Sequence, residues 1–290
     1  MMSELKNISR SVRDRLLNIS KGDNKSFQQL IVRYCHERLL YRLSVSDFQE
    51  KFILKGGALL YAYEEFTPRP TVDLDFMGHK ISNEKNNIIN SFRQIIVTDA
   101  PDDGIIFHPE TIEATDITVD KKYPGIRLIF LATIGTYRQK LTIDIGFGDV
   151  IIPQPIRIEY PILFGNMTQP CILAYSLETV VAEKFQSIID KGLANSRMKD
   201  FFDIYRILKA HSFDPTELQQ AINATFDNRN TKHTINHVFF EPSFAEDTVL
   251  RQRWQAFISR LKITDLTFGE VVTFISSRLK PFWDNLGNSK

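Results

Sequence analysis

Thr71-Val-Asp-Leu-Asp-Phe76, taken with Lys55-Gly-Gly-Ala-Leu-Leu-Tyr61 upstream of it, decides how the rest of the chain is read. Val72, Leu74 and Phe76 alternate with Asp73 and Asp75, the period of a strand with one apolar face. Asp73 and Asp75 then share the other face, about 6–7 Å apart at their Cα atoms. Two like charges held this close repel unless a cation lies between them. Hard carboxylate oxygens suit Mg2+, with Mn2+ as the alternative ion. A merely solvated strand face is the competing explanation for such a pair on its own.

Upstream, the apolar run from Phe52 ends in Gly56-Gly57, and a helical pattern then runs to Tyr63. Fifteen residues separate Gly57 from Asp73, room for one helix and a return loop, so the helix start and the carboxylate pair can face one ligand. Uncovered amides and the helix dipole at Gly56 and Gly57 would hold a triphosphate. Arg69, just before the strand, either adds a phosphate contact or pairs with Glu64 or Glu65. Downstream, Lys140-Leu-Thr-Ile-Asp144-Ile-Gly146 places Leu141, Ile143 and Ile145 on one face and Lys140, Thr142 and Asp144 on the other. If this strand lies beside the Asp73 strand, Asp144 is the third carboxylate of a two-metal site; otherwise it is a surface residue.

Residues 3–43 read as helix, and Ser46-Asp-Phe-Gln49 has the form of a capping box that would open a short helix. From residue 71 to about 161 the period is two, with further strands expected at 112–119, 126–132, 141–147 and 156–161 and one helix at 84–97. After Pro170 the strand signal stops and amphipathic helices follow. The expected organisation is α+β: N-terminal helices over 1–50, a sheet-containing lobe over 51–170 and a helical lobe over 171–290.

Composition bounds the function. With 290 residues, 43% hydrophobic side chains, 24% charged and a net charge of +1, the chain is neither disordered nor a polycation that would coat nucleic acid by charge alone. Residues 1–50 carry +3, residues 51–160 carry −3 and residues 161–290 carry +1; six Lys and Arg against two acids fall in 251–280. Basic flanks around an acidic centre could guide an RNA backbone. Cys35 and Cys171 fit neither a disulfide framework nor a metal motif, and no signal peptide or membrane span is read, so a cytoplasmic protein without a membrane partner is expected. The six histidines read as surface or core residues rather than zinc ligands. No GxSxG nucleophile motif occurs.

In the helical region, Leu177, Val180, Val181, Phe185 and Ile188 form an apolar stripe that contains Lys184. That lysine either snorkels to the edge of the core or points into a cleft where a phosphate satisfies it. Farther on, Phe201, Ile204, Tyr205 and Leu208 form a buried face bordered by Asp200 and Asp203. Asp200 needs a partner, with Lys184 and Arg197 the candidates. A buried salt bridge that only docks two helices remains open for both aspartates.

Lys55-Gly-Gly-Ala-Leu-Leu-Tyr61, Arg69-Pro-Thr-Val-Asp-Leu-Asp-Phe76, Lys140-Leu-Thr-Ile-Asp-Ile-Gly146, Ala182-Glu-Lys184 and Arg197-Met-Lys-Asp-Phe-Phe-Asp203 follow one another as a motif series. In this the chain resembles, over residues 52 to about 208, the AbiEii/AbiGii toxin family of DNA polymerase β-like nucleotidyltransferases. The resemblance implies a nucleotidyltransferase lobe, with a mixed or antiparallel sheet flanked by helices, joined to a C-terminal helical lobe. It also implies Mg2+-dependent transfer of a nucleoside monophosphate from an NTP. Members are toxins of type IV toxin–antitoxin pairs, some acting on the tRNA 3′ end, so an RNA acceptor and an antitoxin encoded nearby are the implied partners. Carried onto this chain, Asp73, Asp75 and Asp144 hold metal and catalyse, while Gly56 and Gly57 with Lys184 hold the triphosphate. Lys55, Arg69, Lys140 and Asp203 are the further nucleotide-binding candidates. One aspartate of the last motif is essential in the family; Asp200 is favoured, with Asp203 holding its helix. Two alternatives stay open: transfer to a small-molecule or protein hydroxyl, and a non-catalytic NTP-binding module that sequesters a partner.

Overall fold

The structure, a computed structural model, describes residues 2–22, 26–63, 71–117 and 125–288. The chain divides into two units, Met1–Gly148 with Pro155–Tyr175, and Asp149–Gln154 with Ser176–Lys290. The first contains α1 (Met2–Gly22), α2 (Phe27–Ser44), β1 (Phe52–Lys55), α3 (Gly56–Tyr63), β2 (Asp73–Gly78), α4 (Lys85–Ile96), β3 (Ile105–Ile117), β4 (Gly125–Ile134), β5 (Tyr137–Gly146), β6 (Ile156–Glu159) and β7 (Cys171–Ala174). The second contains α5 (Leu177–Lys191), α6 (Met198–Ala210), α7 (Pro215–Asn228), α8 (Pro242–Glu246), α9 (Thr248–Arg260) and α10 (Phe268–Asn288), with short 3-10 turns at Gly192–Ala194 and Val238–Phe240.

One seven-stranded sheet, in the order β3-β4-β5-β2-β1-β7-β6, organises the first unit. It is mixed: β2 runs parallel to β5 and β1 to β7, while the other neighbours are antiparallel. Phe52, Ile53 and Leu54 of β1 are all buried, as a central strand covered on both faces requires. β2, β4 and β5 instead alternate, with Leu74 and Phe76, Ile126, Leu128 and Phe130, and Leu141, Ile143 and Ile145 on the buried side. There Phe52 and Phe92 of α4 meet edge to face at 5.0 Å. Each such ring, fully buried, contributes roughly 1.5–3 kcal/mol. The opposite face keeps the polar members of those strands.

Three expectations about the elements are corrected. The single helix over residues 3–43 is two helices: α1 stops at Gly22, a residue that costs about 1 kcal/mol in a helix interior, and α2 starts after Ser26. No helix follows Ser46. Its hydroxyl accepts from the Phe48 amide at 3.2 Å, and Gln49 N donates to the Ser46 carbonyl at 3.2 Å, so the segment is a set of turns that delivers the chain into β1. The strand signal does not end at Pro170, because Cys171–Ala174 is β7, paired with β1 and β6. Four residues are too short for alternation to be read.

In the second unit, helix starts follow local chemistry. Ser176 caps α5 by accepting from Thr179 N, Asp214 caps α7 ahead of Pro215, and Asp247 caps α9. Phe185 is at the centre of its core, with the rings of Phe226, Phe239, Phe240 and Trp283 at 5.4 to 6.4 Å. No helix among the described residues is long and apolar enough to cross a membrane. Cys35 is buried and Cys171 exposed, both as free thiols.

Candidate active site

Strand register assembles the polar face of the sheet. Lys55 of β1 pairs with Asp75 of β2, Asp75 with Asp144 of β5, and Asp144 with Arg127 of β4. Directly paired residues of neighbouring strands point to the same side, so these four form one row across the sheet in the order positive, negative, negative, positive. Asp73 lies one pleat along, opposite Thr142. The condition attached to Asp144 is therefore met: Asp73, Asp75 and Asp144, all half-buried, present carboxylate oxygens within 4.8 Å of one another.

Gly56 lies against this cluster. It has φ +71°, and a Cβ placed there would lie 2.0 Å from Asp75 Oδ2. Glycine is required both for the left-handed backbone and for the close approach of the start of α3 to the carboxylate. Gly57 follows as the next residue of α3, buried, and the first amides of a helix have no partner within it. A cradle of three hard oxygen donors beside a glycine that leaves them room suits Mg2+ or Mn2+.

The side chains around this centre are individually held. Thr71 Oγ1 donates to Asp73 Oδ1 at 2.9 Å, which orients the first carboxylate. Arg127 donates from Nε and Nη2 to the two oxygens of Asp144, each at 2.7 Å, a bidentate fork. Its hydrogen bonds to Asp144, and then the charges of Asp144, Asp73 and Asp75, raise the guanidinium pKa above its ordinary value. Lys55 directs its amine to the Tyr175 hydroxyl at 3.2 Å, with Nζ 4.8 Å from the ring centroid. Lys140 lies on the Asp144 face of β5, exposed, two pleats upstream. Arg69 falls outside the described residues.

Arg127 is absent from the candidates read from the sequence. Its signal is there: it is the charged residue in the otherwise apolar run Ile126-Arg-Leu-Ile-Phe-Leu131. Its meaning depends on the register, which the run does not contain. His36 is a second such residue. Its ring, 2% exposed on α2, has no hydrogen-bond partner for Nε2 among the described residues, and burial lowers its pKa to about 4 against the opposing charge of Asp73.

Lys184, Asp200 and Asp203 form a separate cluster in the second unit. Lys184 Nζ donates to Asp200 Oδ1 at 2.9 Å and to Asp203 Oδ2 at 2.7 Å, with both carboxylate side chains only 2% exposed. Arg197 Nε donates to Asp200 Oδ2 at 2.7 Å. Asp200 thus takes both of its candidate partners. Burial by itself would raise the Asp200 pKa, but Lys184 and Arg197 outweigh it and hold the carboxyl well below the usual range. Burial likewise opposes the charged amine, yet the two aspartates keep the Lys184 pKa above its ordinary value.

His233 and His237 stand four residues apart, a spacing that on a helix would suit zinc. They lie instead on a loop and a turn, packed against Trp283 at 4.6 and 5.6 Å between ring centroids, and His237 Nδ1 accepts from Phe239 N. Among the described residues the three aspartates are the cluster suited to a metal ion.

No curated protein matches the chain. The crystal structure of JHP933 from Helicobacter pylori is similar in fold, with a TM-score of 0.51 at 16% identity, covering 91% of this chain and 95% of that one. A second H. pylori crystal structure, assigned provisionally as a nucleotidyltransferase, has a TM-score of 0.45 at 15% identity, covering 92% and 99%. The family model described as nucleotidyl transferase AbiEii toxin, type IV TA system, matches residues 38–277, which takes in both units. The chain belongs to the AbiEii family of nucleotidyltransferase toxins of type IV toxin–antitoxin systems.

Proposed function

We propose that this protein transfers a nucleoside monophosphate from an NTP to an acceptor hydroxyl, with an RNA 3′ end, of tRNA in particular, as the acceptor, and that this reaction is its toxic activity. The observation that carries the reading is the register that sets Asp144 beside Asp75, so that three carboxylates converge next to Gly56. When bound there, Mg2+ or Mn2+ would supply the Lewis acidity that activates the attacking hydroxyl and neutralises the departing pyrophosphate. Asp73 and Asp75 would hold both ions, and Asp144 would join them in holding the one that serves the acceptor hydroxyl. The amides of Gly56 and Gly57 at the start of α3 receive the triphosphate. The hydroxyl oxygen attacks the α-phosphorus, its proton leaves to solvent, and the bond from the α-phosphorus to the bridging oxygen breaks to release pyrophosphate.

Lys55 and Lys140, on the same face of the sheet, add positive charge for the phosphates. Lys184, Asp200 and Asp203 enter this reading through the family motifs, as does Arg69. RNA as acceptor draws support from the exposed Arg251, Arg260, Lys262 and Arg278 of the second unit, which suit a phosphate backbone. The family implies a cognate antitoxin as partner. The reaction is assigned to the cytoplasm as part of this reading; no helix among the described residues is long and apolar enough to cross a membrane.

Incubation of the protein with each labelled NTP, Mg2+ and total RNA tests the reading. Wild type is expected to label RNA, with loss of label in Asp73→Ala and weaker labelling as salt rises. Label that migrates with metabolites or protein selects the other acceptors. Growth inhibition that persists in Asp144→Ala, with no label transferred by wild type, replaces catalysis with sequestration of a partner.

A further inference from the structure

Arg127 contributes a feature that metal binding alone does not explain. Its fork takes both oxygens of Asp144 at 2.7 Å, although Asp144 belongs to the carboxylate cluster itself. The arginine side chain is 43% exposed and that of Asp144 15%, so the fork joins a partly solvated guanidinium on β4 to the less exposed carboxylate beside it on β5. A carboxylate offers about four lone-pair positions, and a bidentate arginine uses two of them. Three aspartates carry a charge of −3; the Lys55 amine opposite Asp75 and the guanidinium on Asp144 reduce it to −1, less than the charge of a single divalent cation, and Arg127 is the one of the two that hydrogen-bonds a carboxylate of the cluster.

We propose that Arg127 is a built-in counter-ion of the metal site: it fixes the orientation of Asp144 in the nucleotide-free protein and limits the cluster to weak binding of one divalent cation until a nucleotide brings further negative charge. The inference rests on the metal-site reading above and deepens it. Arg127 is a positioning residue that acts through Asp144, and its two contributions separate by substitution. Charge sets the cation affinity, whereas the planar fork sets the carboxylate's orientation. Arg127→Met removes both, Arg127→Gln removes the charge but keeps an amide donor, and Arg127→Lys keeps the charge but loses the fork.

The test is Mn2+ binding without nucleotide, followed by the electron paramagnetic resonance of free Mn2+, for wild type, Asp75→Asn and the three Arg127 variants, each first shown to be folded by its melting curve in EDTA. Wild type is expected to bind one Mn2+ and Asp75→Asn none. Arg127→Met and Arg127→Gln should bind about tenfold more tightly than wild type, as loss of a nearby positive charge dictates, and Arg127→Lys within about twofold of it. Nucleotide transfer should fall in all three, because Asp144 is no longer held. A residue that merely braces β4 against β5 would leave Mn2+ affinity unchanged or weaken it on removal, so either result in both neutral variants overturns the proposal. Should Arg127→Met not fold, Arg127→Gln carries the same comparison. Wild type without Mn2+ binding overturns the metal-site reading and this inference together. Binding that Asp75→Asn abolishes and neither neutral variant tightens overturns this inference alone.

Discussion

Asp75 and Asp144 stand directly opposite each other on the parallel strands β2 and β5, two like charges at a cross-strand position that ordinarily destabilises a sheet. Lys55 and Arg127 stand opposite them on the outer sides. Each cation offsets part of the repulsion, Arg127 by its fork on Asp144 and Lys55 by its charge while its amine donates to the Tyr175 hydroxyl.

Divalent cations should therefore stabilise the first unit. Mg2+ or Mn2+ is expected to raise the melting temperature of wild type. Asp75→Asn should unfold later than wild type in EDTA, by about 0.2–1 kcal/mol, and lose the response to the ions. Calorimetry with and without EDTA measures both. Equal responses of the two proteins would mean that the carboxylates bind nothing.

Gly56→Ala should cost more activity than its size suggests. The left-handed backbone adds about 1–2 kcal/mol of strain, and the new methyl would occupy the space of the Asp75 carboxylate. Transfer is expected to fall by about two orders of magnitude, the scale of catalytic loss when a reacting group is misplaced by roughly 1 Å. Mn2+ affinity should fall with it. A variant that labels RNA like wild type would refute the close approach of α3 to Asp75.

In the second unit, Lys184→Met leaves Asp200 and Asp203 without their shared cation. Removing one partner of a buried ion pair costs about 3–5 kcal/mol, and urea unfolding of the purified variant should show a loss of that size. Asp203→Asn should cost less, because Asp200 keeps both Lys184 and Arg197. Since the Asp200 pKa is depressed, its stabilisation is present above the ordinary carboxylate range, near pH ~4, and is lost as pH falls through the depressed value. A wild-type stability that rises on acidification below pH ~4 would contradict the cluster.

His36 acts in a higher pH window. Burial lowers its pKa from 6.5 to about 4, so between those values the unfolded chain takes up a proton that the folded protein does not. Stability must then fall as pH drops from 6.5 towards 4, by up to about 3 kcal/mol from this residue. Replacing it by Gln should flatten that part of the pH profile, as read from unfolding midpoints at pH ~7 and ~4.5. Parallel profiles for the two proteins would show that folding does not lower the His36 pKa.

Much of the candidate site's layout is legible in the sequence because its signals are local. Alternation placed Asp73 and Asp75 on one face of a strand, and Lys140, Thr142 and Asp144 on one face of another. A helical projection put Lys184 inside an apolar stripe and showed that Asp200 needed a partner. Strand β7 is not legible because four residues carry no periodicity, and the turns after Ser46 imitate a helix cap because the same hydroxyl serves either local pattern.

What the sequence by itself determined is which side chains share a face of one element, since the geometry of a strand or helix follows from backbone dihedrals and needs no partner. The tertiary structure alone decided which faces meet: that β5 lies parallel beside β2 with Asp144 against Asp75, that Arg127 of β4 closes on Asp144, and that α5 and α6 bring Lys184 between Asp200 and Asp203. Pairing of that kind joins residues far apart in the chain. It is selected by the packing of the apolar faces behind them, where Leu74, Phe76, Ile143 and Ile145 become buried together. The charged row on the other side of the sheet is carried into register by that core.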